Sequence, residues 1–196
     1  MLEAEGVNHV GVVLQDPAGN EFCVAWDVPF RPEPLICPGG EVDLPTADLS
    51  DAQGDRLQAC ALQLRSFGGR SAFAGPVATV RCRDDNGLVR AALSEPGVGR
   101  VLVVDGGGSL EAALVGDSLA GLAFGNGWSG MVVNGAVRDV VALASLAIGV
   151  LALGTNPRRG SRDGAGDRNC RVTFGGVTFR PGALLYADED GIVVEA

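Results

Sequence analysis

From Thr46 to the end of the chain, short apolar runs alternate with turns rich in glycine and aspartate, and this alternation limits the fold more than any other feature. The runs at residues 101–104 and 131–133 have the length and composition of buried strands. The stretch 140–154 predicts a helix that leads into another buried strand. Strands that alternate with helices are typical of α/β proteins, in which helices pack against a largely parallel sheet.

Capping and turn residues place the other elements of this α/β domain. Asn86, Asp117 and Asp139 each precede an apolar stretch and are predicted to cap helices, of which the second ends near residue 124. A further helix is predicted over residues 48–64, strands over 76–82 and 110–115, and a meander of strands over 171–194.

The first 45 residues have a different character. Five of the ten prolines fall within residues 29–45, which predicts a linker without regular structure. Upstream, residues 10–14 and 21–26 flank the turn sequence at 16–20 and predict a β-hairpin. Residues 7–27 resemble a fragment of a glyoxalase-like, vicinal-oxygen-chelate domain. We therefore expect an N-terminal extension over residues 1–45 and one α/β domain over residues 46–196.

Composition excludes several classes of chemistry. All fifteen basic residues are arginine, so neither a Schiff base nor a Walker-type phosphate loop can form. The single histidine, His9, lies far from the other candidate residues, which argues against a Ser-His-Asp triad or a histidine-rich zinc site. The net charge of −9 disfavours direct binding to nucleic acid, and the basic cluster of Arg158, Arg159 and Arg162 is interpreted as a solvated loop.

Cysteine usage and hydropathy indicate the cellular compartment of the protein. The five cysteines are scattered and include no CxxC pair, which is typical of thiols in a reducing environment. The N-terminus is acidic rather than basic and apolar, and no stretch is long enough to span a bilayer. These features predict a cytoplasmic protein with no membrane partner.

The strongest functional signal is a pair of short motifs. The sequence Gly116-Asp117-Ser118-Leu119 is followed by Arg138-Asp139, with twenty residues between Asp117 and Arg138. Carboxylates can hold a divalent cation, a guanidinium can bind a carboxylate or enolate oxygen, and amides at a helix start can bind an anion. The combination predicts an anion site beside a metal site, of a size that suits a small 2-oxo acid such as pyruvate.

These residues allow two other interpretations. Either aspartate alone could be an ordinary helix cap, although a cap explains neither the glycine before Asp117 nor the arginine before Asp139. Gly116-Asp117-Ser118-Leu119 also spells the signature of GDSL hydrolases, in which the serine is the nucleophile. Those enzymes need a histidine base near the C-terminus, and this chain has none there.

The motifs resemble those of the RraA proteins, a family named for a regulator of ribonuclease E that includes 4-hydroxy-4-methyl-2-oxoglutarate aldolases. The resemblance covers residues 46–194 and favours the short actinobacterial members. It implies a β/β/α sandwich of the swivelling-domain type, assembled as a homotrimer with active sites near subunit interfaces. The matching motifs are Phe67-Gly68-Gly69-Arg70, Phe73-Ala74-Gly75-Pro76, Val103-Val104-Asp105-Gly106, Gly116-Asp117, Gly135-Ala136-Val137-Arg138-Asp139, Gly154-Thr155-Asn156-Pro157 and Phe174-Gly175-Gly176-Val177.

The resemblance also implies a role for each site residue. Asp139 would be the direct protein ligand of a divalent cation, Mg or Mn, and Asp117 would orient a water on that cation. Arg138 would contact the keto oxygen, and the backbone amides of Gly116, Asp117, Ser118 and Leu119 would bind the substrate carboxylate. The implied enzyme cleaves 4-hydroxy-4-methyl-2-oxoglutarate to two pyruvates and decarboxylates oxaloacetate, both through one metal-stabilised pyruvate enolate.

One departure from the aldolase members lies at the C-terminus. Those enzymes continue into a segment that supplies a glutamate to a neighbouring subunit, whereas this sequence stops at Glu195-Ala196. A missing glutamate is expected to impair aldol cleavage more than oxaloacetate decarboxylation, because only aldol cleavage requires the deprotonation of a hydroxyl group. The alternative function is that of short family members that bind ribonuclease E and inhibit it without catalysing a reaction. A helicase is a second candidate partner on this alternative.

Overall fold

A computed structural model describes residues 45–196 in full and, nearer the N-terminus, the backbone of two strands. The chain divides into two compact units, Met1–Pro34 and Leu35–Ala196. In the first unit, β1 (Val7–Gln15) pairs antiparallel with β2 (Glu21–Pro29), which confirms the predicted hairpin. The predicted turn at 16–20 and most of the predicted linker lie outside the described residues.

The second unit carries four α-helices and twelve strands within residues 45–196. No helix in this part of the chain is long and apolar enough to cross a membrane. The helices are α1 (Thr46–Gln53), α2 (Gly87–Leu93), α3 (Asp117–Gly125) and α4 (Val140–Ala144), with a 3-10 turn at Gly54–Arg56. The strands are β3 (Leu57–Ala59), β4 (Arg65–Ser66), β5 (Phe73–Arg81), β6 (Val101–Asp105), β7 (Ala113–Val115), β8 (Gly130–Val137), β9 (Gly149–Thr155), β10 (Asp167–Arg168), β11 (Val172–Phe174), β12 (Val177–Phe179), β13 (Leu184–Ala187) and β14 (Ile192–Glu195).

A parallel group of strands forms the centre of the sheet. Strands β5, β6, β8 and β9 lie side by side in that order, and β7 pairs in parallel with the carboxyl-terminal half of β8. Strands β13, β14 and β3 extend the sheet beyond β5 in antiparallel fashion, and β4 closes the other edge. The carboxyl ends of the parallel strands therefore share one edge, where ligands of open α/β sheets commonly bind.

Alternate residues of the central strands face two different cores. On one face, side chains such as Leu102 and Met131 pack in a cluster that includes Val89, Leu119 and Leu143 from the helices. On the other face, the neighbouring residues pack against β11 to β14; this second cluster includes Val101, Val103, Val132, Phe174, Phe179, Leu185 and Val194. Helices lie on one face of the central strands, and β11–β12 with the β13–β14 extension of the sheet lie on the other, which gives the expected β/β/α arrangement because side chains alternate across a strand.

Several predicted bounds need correction. The helix predicted over 48–64 ends at Gln53, because Gly54 has a φ of 51° and turns the chain towards β3. The strand predicted over 110–115 begins only at Ala113. The meander predicted over 171–194 consists of two hairpins, β11–β12 and β13–β14. The strands predicted at 101–104 and 131–133 and the helix-then-strand predicted over 140–154 are confirmed.

A glycine-lined slot for Phe73 gives a stability prediction. Gly130 and Gly149 are paired on β8 and β9, and a Cβ on either would overlap the fully buried ring of Phe73. Gly149→Ala should lower the free energy of unfolding by about 2–3 kcal/mol through overpacking. The matched control is Gly121→Ala in α3, where a Cβ meets open space and should stabilise by about 0.5–1 kcal/mol. Urea titration measures both, and equal effects of the two would contradict the packing argument.

Candidate active site

The two motifs come together at the carboxyl edge of the sheet. Strands β7 and β8 pair in parallel through Val115 and Val137, and the Arg138 N–H donates to the Val115 carbonyl at 3.0 Å. Gly116 follows one strand and Arg138-Asp139 the other, so two segments separated by twenty-one residues in sequence leave the sheet side by side. Parallel pairing of adjacent strands is what produces this juxtaposition.

Gly116 is in direct contact with the second motif. A Cβ at this position would lie 2.7 Å from Asp139 Oδ2, 3.0 Å from Arg138 Cγ and 3.2 Å from Arg138 Nε. The backbone there, with φ −142° and ψ −173°, is open to any residue. The glycine is therefore required for space rather than for conformation, and its role is to let Arg138 and Asp139 approach the start of α3.

The start of α3 differs from the prediction in one respect. Gly116, rather than Asp117, is the N-cap, and Asp117 is the first helical residue. The exposed Asp117 carboxylate accepts a hydrogen bond from the Ser118 N–H at 2.5 Å, and the Leu119 N–H donates to the Gly116 carbonyl at 3.1 Å. Two of the four amides predicted for a substrate carboxylate thus already have acceptors, and the Leu119 side chain is buried.

Asp139 occupies the N-cap position of α4, as predicted, but its side chain does not cap the helix. Its backbone is left-handed, with φ 57° and ψ 42°, an uncommon conformation that aspartate tolerates better than most residues. Asp139 Oδ2 instead lies 3.1 Å from Arg138 Nε, and the two side chains are about one third exposed (34% and 37%). The carboxylate is therefore oriented towards the guanidinium and solvent.

The oxygen donors present fit a weakly held divalent cation. Within residues 45–196 no group of three or more His, Cys, Asp or Glu side chains is arranged to hold a metal. Magnesium often uses only one or two carboxylates, keeps several waters and takes further oxygens from its substrate. The accessible Asp139 carboxylate meets that requirement. The positive charge of Arg138 lies beside it, so the site presents both a carboxylate and a guanidinium.

Three ionisable residues outside the two motifs are Tyr186, Glu195 and Cys82. Tyr186 is buried with Leu49 and Val193, and burial together with Glu195 raises the pKa of its phenol. Glu195 accepts a hydrogen bond from the Leu184 N–H at 2.8 Å and is thereby tied to β13. Burial and nearby carboxylates raise the pKa of Cys82 to about 12, which leaves an inert thiol.

Sequence reasoning missed Asp85, which organises the loop that borders the site. Its buried carboxylate accepts hydrogen bonds from the Ser161 hydroxyl at 2.6 Å and from the N–H groups of Gly87, Asp163 and Gly164 at 2.8, 2.7 and 3.1 Å. The partners in the loop are more than seventy residues away in sequence, so the only available signal was an Asp-Asp-Asn turn together with a glycine-rich loop.

Asp85 also predicts a dependence of stability on pH. Burial alone would raise the pKa of this carboxyl, but the hydrogen bonds from Ser161, Gly87, Asp163 and Gly164 outweigh it and lower the pKa. The contribution of Asp85 to stability is therefore complete above its unfolded pKa and is lost as the pH falls from about 5 through the lowered folded value.

Replacement of this carboxylate by an amide tests that account. Asp85→Asn should cost about 2–3 kcal/mol of unfolding free energy at neutral pH, because an NH₂ group then faces buried donors. It should also flatten the acid limb of the stability curve. The control is Asp167→Asn, which removes an exposed ion pair with Arg81 (55% and 56% exposed) and should cost under about 1 kcal/mol. An unchanged acid limb in Asp85→Asn would contradict the assignment.

Comparison with known proteins identifies the family. The model of the RraA-like family, described as Aldolase/RraA, matches residues 46–194. The chain belongs to the RraA-like family. One similar solved structure is the RNA-processing inhibitor RraA from Thermus thermophilis, with 45% identity over 79% of this chain and 93% of that one and a TM-score of 0.76.

Two further similar solved structures carry different names. A protein from Geobacillus kaustophilus HTA426, called S-adenosylmethionine: 2-dimethylmenaquinone methyltransferase, is 47% identical over 78% of this chain and 94% of that one, with a TM-score of 0.75. Streptomyces coelicolor RraAS2, called an unusual member of the RNase ES inhibitor RraA family, is 30% identical over 70% of this chain and 71% of that one, with a TM-score of 0.59. The RraA fold expected from the sequence is thus confirmed.

Proposed function

We propose that this RraA-like protein is a divalent-metal-dependent carbon-carbon lyase that forms pyruvate enolate, by cleavage of 4-hydroxy-4-methyl-2-oxoglutarate and by decarboxylation of oxaloacetate. The observation that carries the proposal is the contact between Gly116 and the Arg138-Asp139 pair, with a hypothetical Cβ only 2.7 Å from Asp139 Oδ2. It brings a partly exposed carboxylate, a guanidinium and the start of a helix to one point. A purely structural helix cap requires none of these contacts.

Each residue has a distinct part in this proposal. Asp139 holds the cation, Mg or Mn, which when bound supplies Lewis-acid stabilisation of the developing enolate. Arg138 donates hydrogen bonds to the keto oxygen of the substrate, where negative charge accumulates in the transition state. With no lysine in the chain, this charge cannot be carried by an iminium, so electrostatic stabilisation is the available route.

The hydrogen bond between Asp117 and Ser118 links substrate binding to proton transfer. In the described structure the Asp117 carboxylate accepts from the Ser118 N–H. A substrate carboxylate that takes this N–H displaces Asp117 and leaves its carboxylate free to orient the water that gives the enolate its proton. Asp117 is thereby both the group that the substrate displaces from the anion site and the residue that positions the proton source of the proposed reaction.

The alternative is a protein that inhibits a ribonuclease without chemistry. It is favoured by the names of two relatives, an RNA-processing inhibitor and a member of an RNase ES inhibitor family. On this account the homotrimer would present a binding surface to a ribonuclease of the E type or to a helicase. Catalysis and ribonuclease inhibition have different readouts, so the two functions require separate assays.

The methyltransferase activity in the name of another relative is not proposed for this chain. The glycine turn Gly106-Gly107-Gly108 follows β6, as a nucleotide-binding turn would, but in this chain it leads to β7 rather than to a helix start. Asp105 Oδ1 is also occupied by the Gly107 N–H at 3.0 Å and by Asn134 Nδ2 at 2.9 Å. The turn therefore lacks the helix N-terminus and the free acidic residue on which dinucleotide-type sites depend.

Pyruvate release from oxaloacetate and from 4-hydroxy-4-methyl-2-oxoglutarate tests the proposal. We expect release with Mg well above that of Mg alone, and none with chelator. Release that does not exceed the protein-free rate for either substrate would overturn the lyase assignment. Inhibition of ribonuclease E cleavage by the same preparation would then support the alternative.

A further inference from the structure

The loop after β9 runs along the carboxyl edge of the sheet and borders the candidate site. It begins where the Asn156 N–H donates to the Val137 carbonyl at 3.0 Å, one residue before Arg138. It then pairs in parallel with β7, through hydrogen bonds from the Ala113 N–H to the Arg158 carbonyl at 2.7 Å and from the Gly160 N–H to the Ala113 carbonyl at 3.1 Å. The loop therefore passes beside both strands that carry the site motifs.

This loop is held firmly in place. The Asp85 carboxylate binds it through Ser161, Asp163 and Gly164. Gly160 lies so near the turn before Asp85 that a Cβ would be 2.7 Å from the Asp84 carbonyl oxygen. A loop fixed by buried hydrogen bonds can present its side chains in a defined geometry, which a freely moving loop cannot.

Three arginines project from the loop without carboxylate partners. Arg158, Arg159 and Arg162 are exposed. Within residues 45–196, the ion pairs join other arginines to acidic groups, namely Arg81, Arg138 and Arg168. A cluster of unpaired guanidinium groups in a protein with a net charge of −9 is a local attraction for an anion.

The strand register relates these cations to the candidate site. Arg159 is the bridge partner of Ala113 in a parallel pair. Ala113 lies three residues before Gly116 in the sequence. Neighbouring strands are separated by about 4.8 Å, so the arginine loop (residues 158–162) begins beside β7, the strand that leads into α3, on the side away from β8.

We infer that the arginine loop binds the second, distal carboxylate of a dicarboxylic 2-oxo acid, and so determines substrate specificity. The inference rests on the proposed function, in which Arg138 and the start of α3 receive the 2-oxo acid end. A dicarboxylate then spans from Arg138 to the arginine loop, with a guanidinium forked onto its far carboxylate. Pyruvate, which has only one carboxylate, makes the first set of contacts and not the second.

Ligand binding in the presence of Mg tests this directly, with full-length protein and isothermal titration calorimetry. The probes are pyruvate and 2-oxoglutarate, a dicarboxylic 2-oxo acid without the 4-hydroxyl group that aldol cleavage needs. We expect 2-oxoglutarate to bind roughly tenfold more tightly than pyruvate, as one added charge-assisted contact allows. In Arg158→Gln/Arg159→Gln/Arg162→Gln this preference should fall to within about twofold, with the Kd of pyruvate unchanged.

A second triple variant controls for the loss of three charges. Arg65→Gln/Arg171→Gln/Arg180→Gln removes arginines from other parts of the surface and should keep the preference for 2-oxoglutarate. Equal binding of both acids to the wild-type protein, or a preference that survives in the loop variant, would overturn the inference while the lyase proposal stands. Binding of neither acid would overturn the proposed function and this inference with it.

Discussion

Asp139→Ala is expected to reduce metal-dependent pyruvate release by roughly 10²–10³-fold or more, because it removes the carboxylate assigned to the cation. The stability cost should be small. The Asp139 side chain caps no helix and forms only a partly exposed ion pair with Arg138, so the main penalty is about 1 kcal/mol for alanine in a left-handed conformation. Initial rates at several Mg concentrations and urea titration measure the two quantities.

Asn169 offers a matched control for that backbone penalty. It is exposed and also left-handed, with φ 53°, and belongs to the turn between β10 and β11. Asn169→Ala should lose a similar amount of stability and retain full activity. The assignment of Asp139 fails if Asp139→Ala keeps metal-dependent release, or if both variants lose it equally.

Gly116→Ala is expected to reduce activity by about 10²-fold while the fold stays intact. The new methyl group would lie 2.7 Å from Asp139 Oδ2 and 3.0 Å from Arg138 Cγ, so both side chains must shift. Displacements of about 1 Å in catalytic groups cost activity on this scale. Stability should change little, because the backbone of Gly116 suits alanine and both displaced side chains can move into solvent.

Gly121→Ala serves as the control on the same helix, since its Cβ meets no atom within 4 Å. It should leave kcat and KM unchanged. A Gly116→Ala enzyme with wild-type kinetics would show that the close approach of the two motifs has no catalytic role. Equal loss of activity in both variants would point to a general effect on α3 instead.

The sequence alone was sufficient to predict the juxtaposition of the two motifs. Gly116 and Arg138 each follow a short apolar run, and runs of that kind form adjacent parallel strands whose carboxyl ends meet. The prediction of a long first helix was wrong, because the apolar spacing that includes Leu57 continues across Gly54, where the chain turns into β3. Local periodicity cannot show that Leu57 belongs to a strand rather than to the preceding helix.

Two features of the site depend on the folded chain. Capping propensity correctly placed Asp139 before α4, yet the direction of its carboxylate towards Arg138 follows from a left-handed backbone that no local pattern predicts. The role of Asp85 depends on partners such as Ser161, seventy-six residues away. Contacts of such range are set by sheet topology, whereas the interpretation of Arg158, Arg159 and Arg162 as a solvated loop agrees with the exposure of these side chains.

Hydrogen exchange at the pyruvate methyl group tests the central claim most directly, because reversible formation of the enolate replaces these protons with solvent deuterium. With wild-type protein, Mg and pyruvate in D₂O, the methyl signal in the proton NMR spectrum should decay. It should persist with chelator or with Asp139→Ala. A methyl signal that decays no faster with the wild-type protein than with Mg alone would contradict the assignment of this site to enolate chemistry.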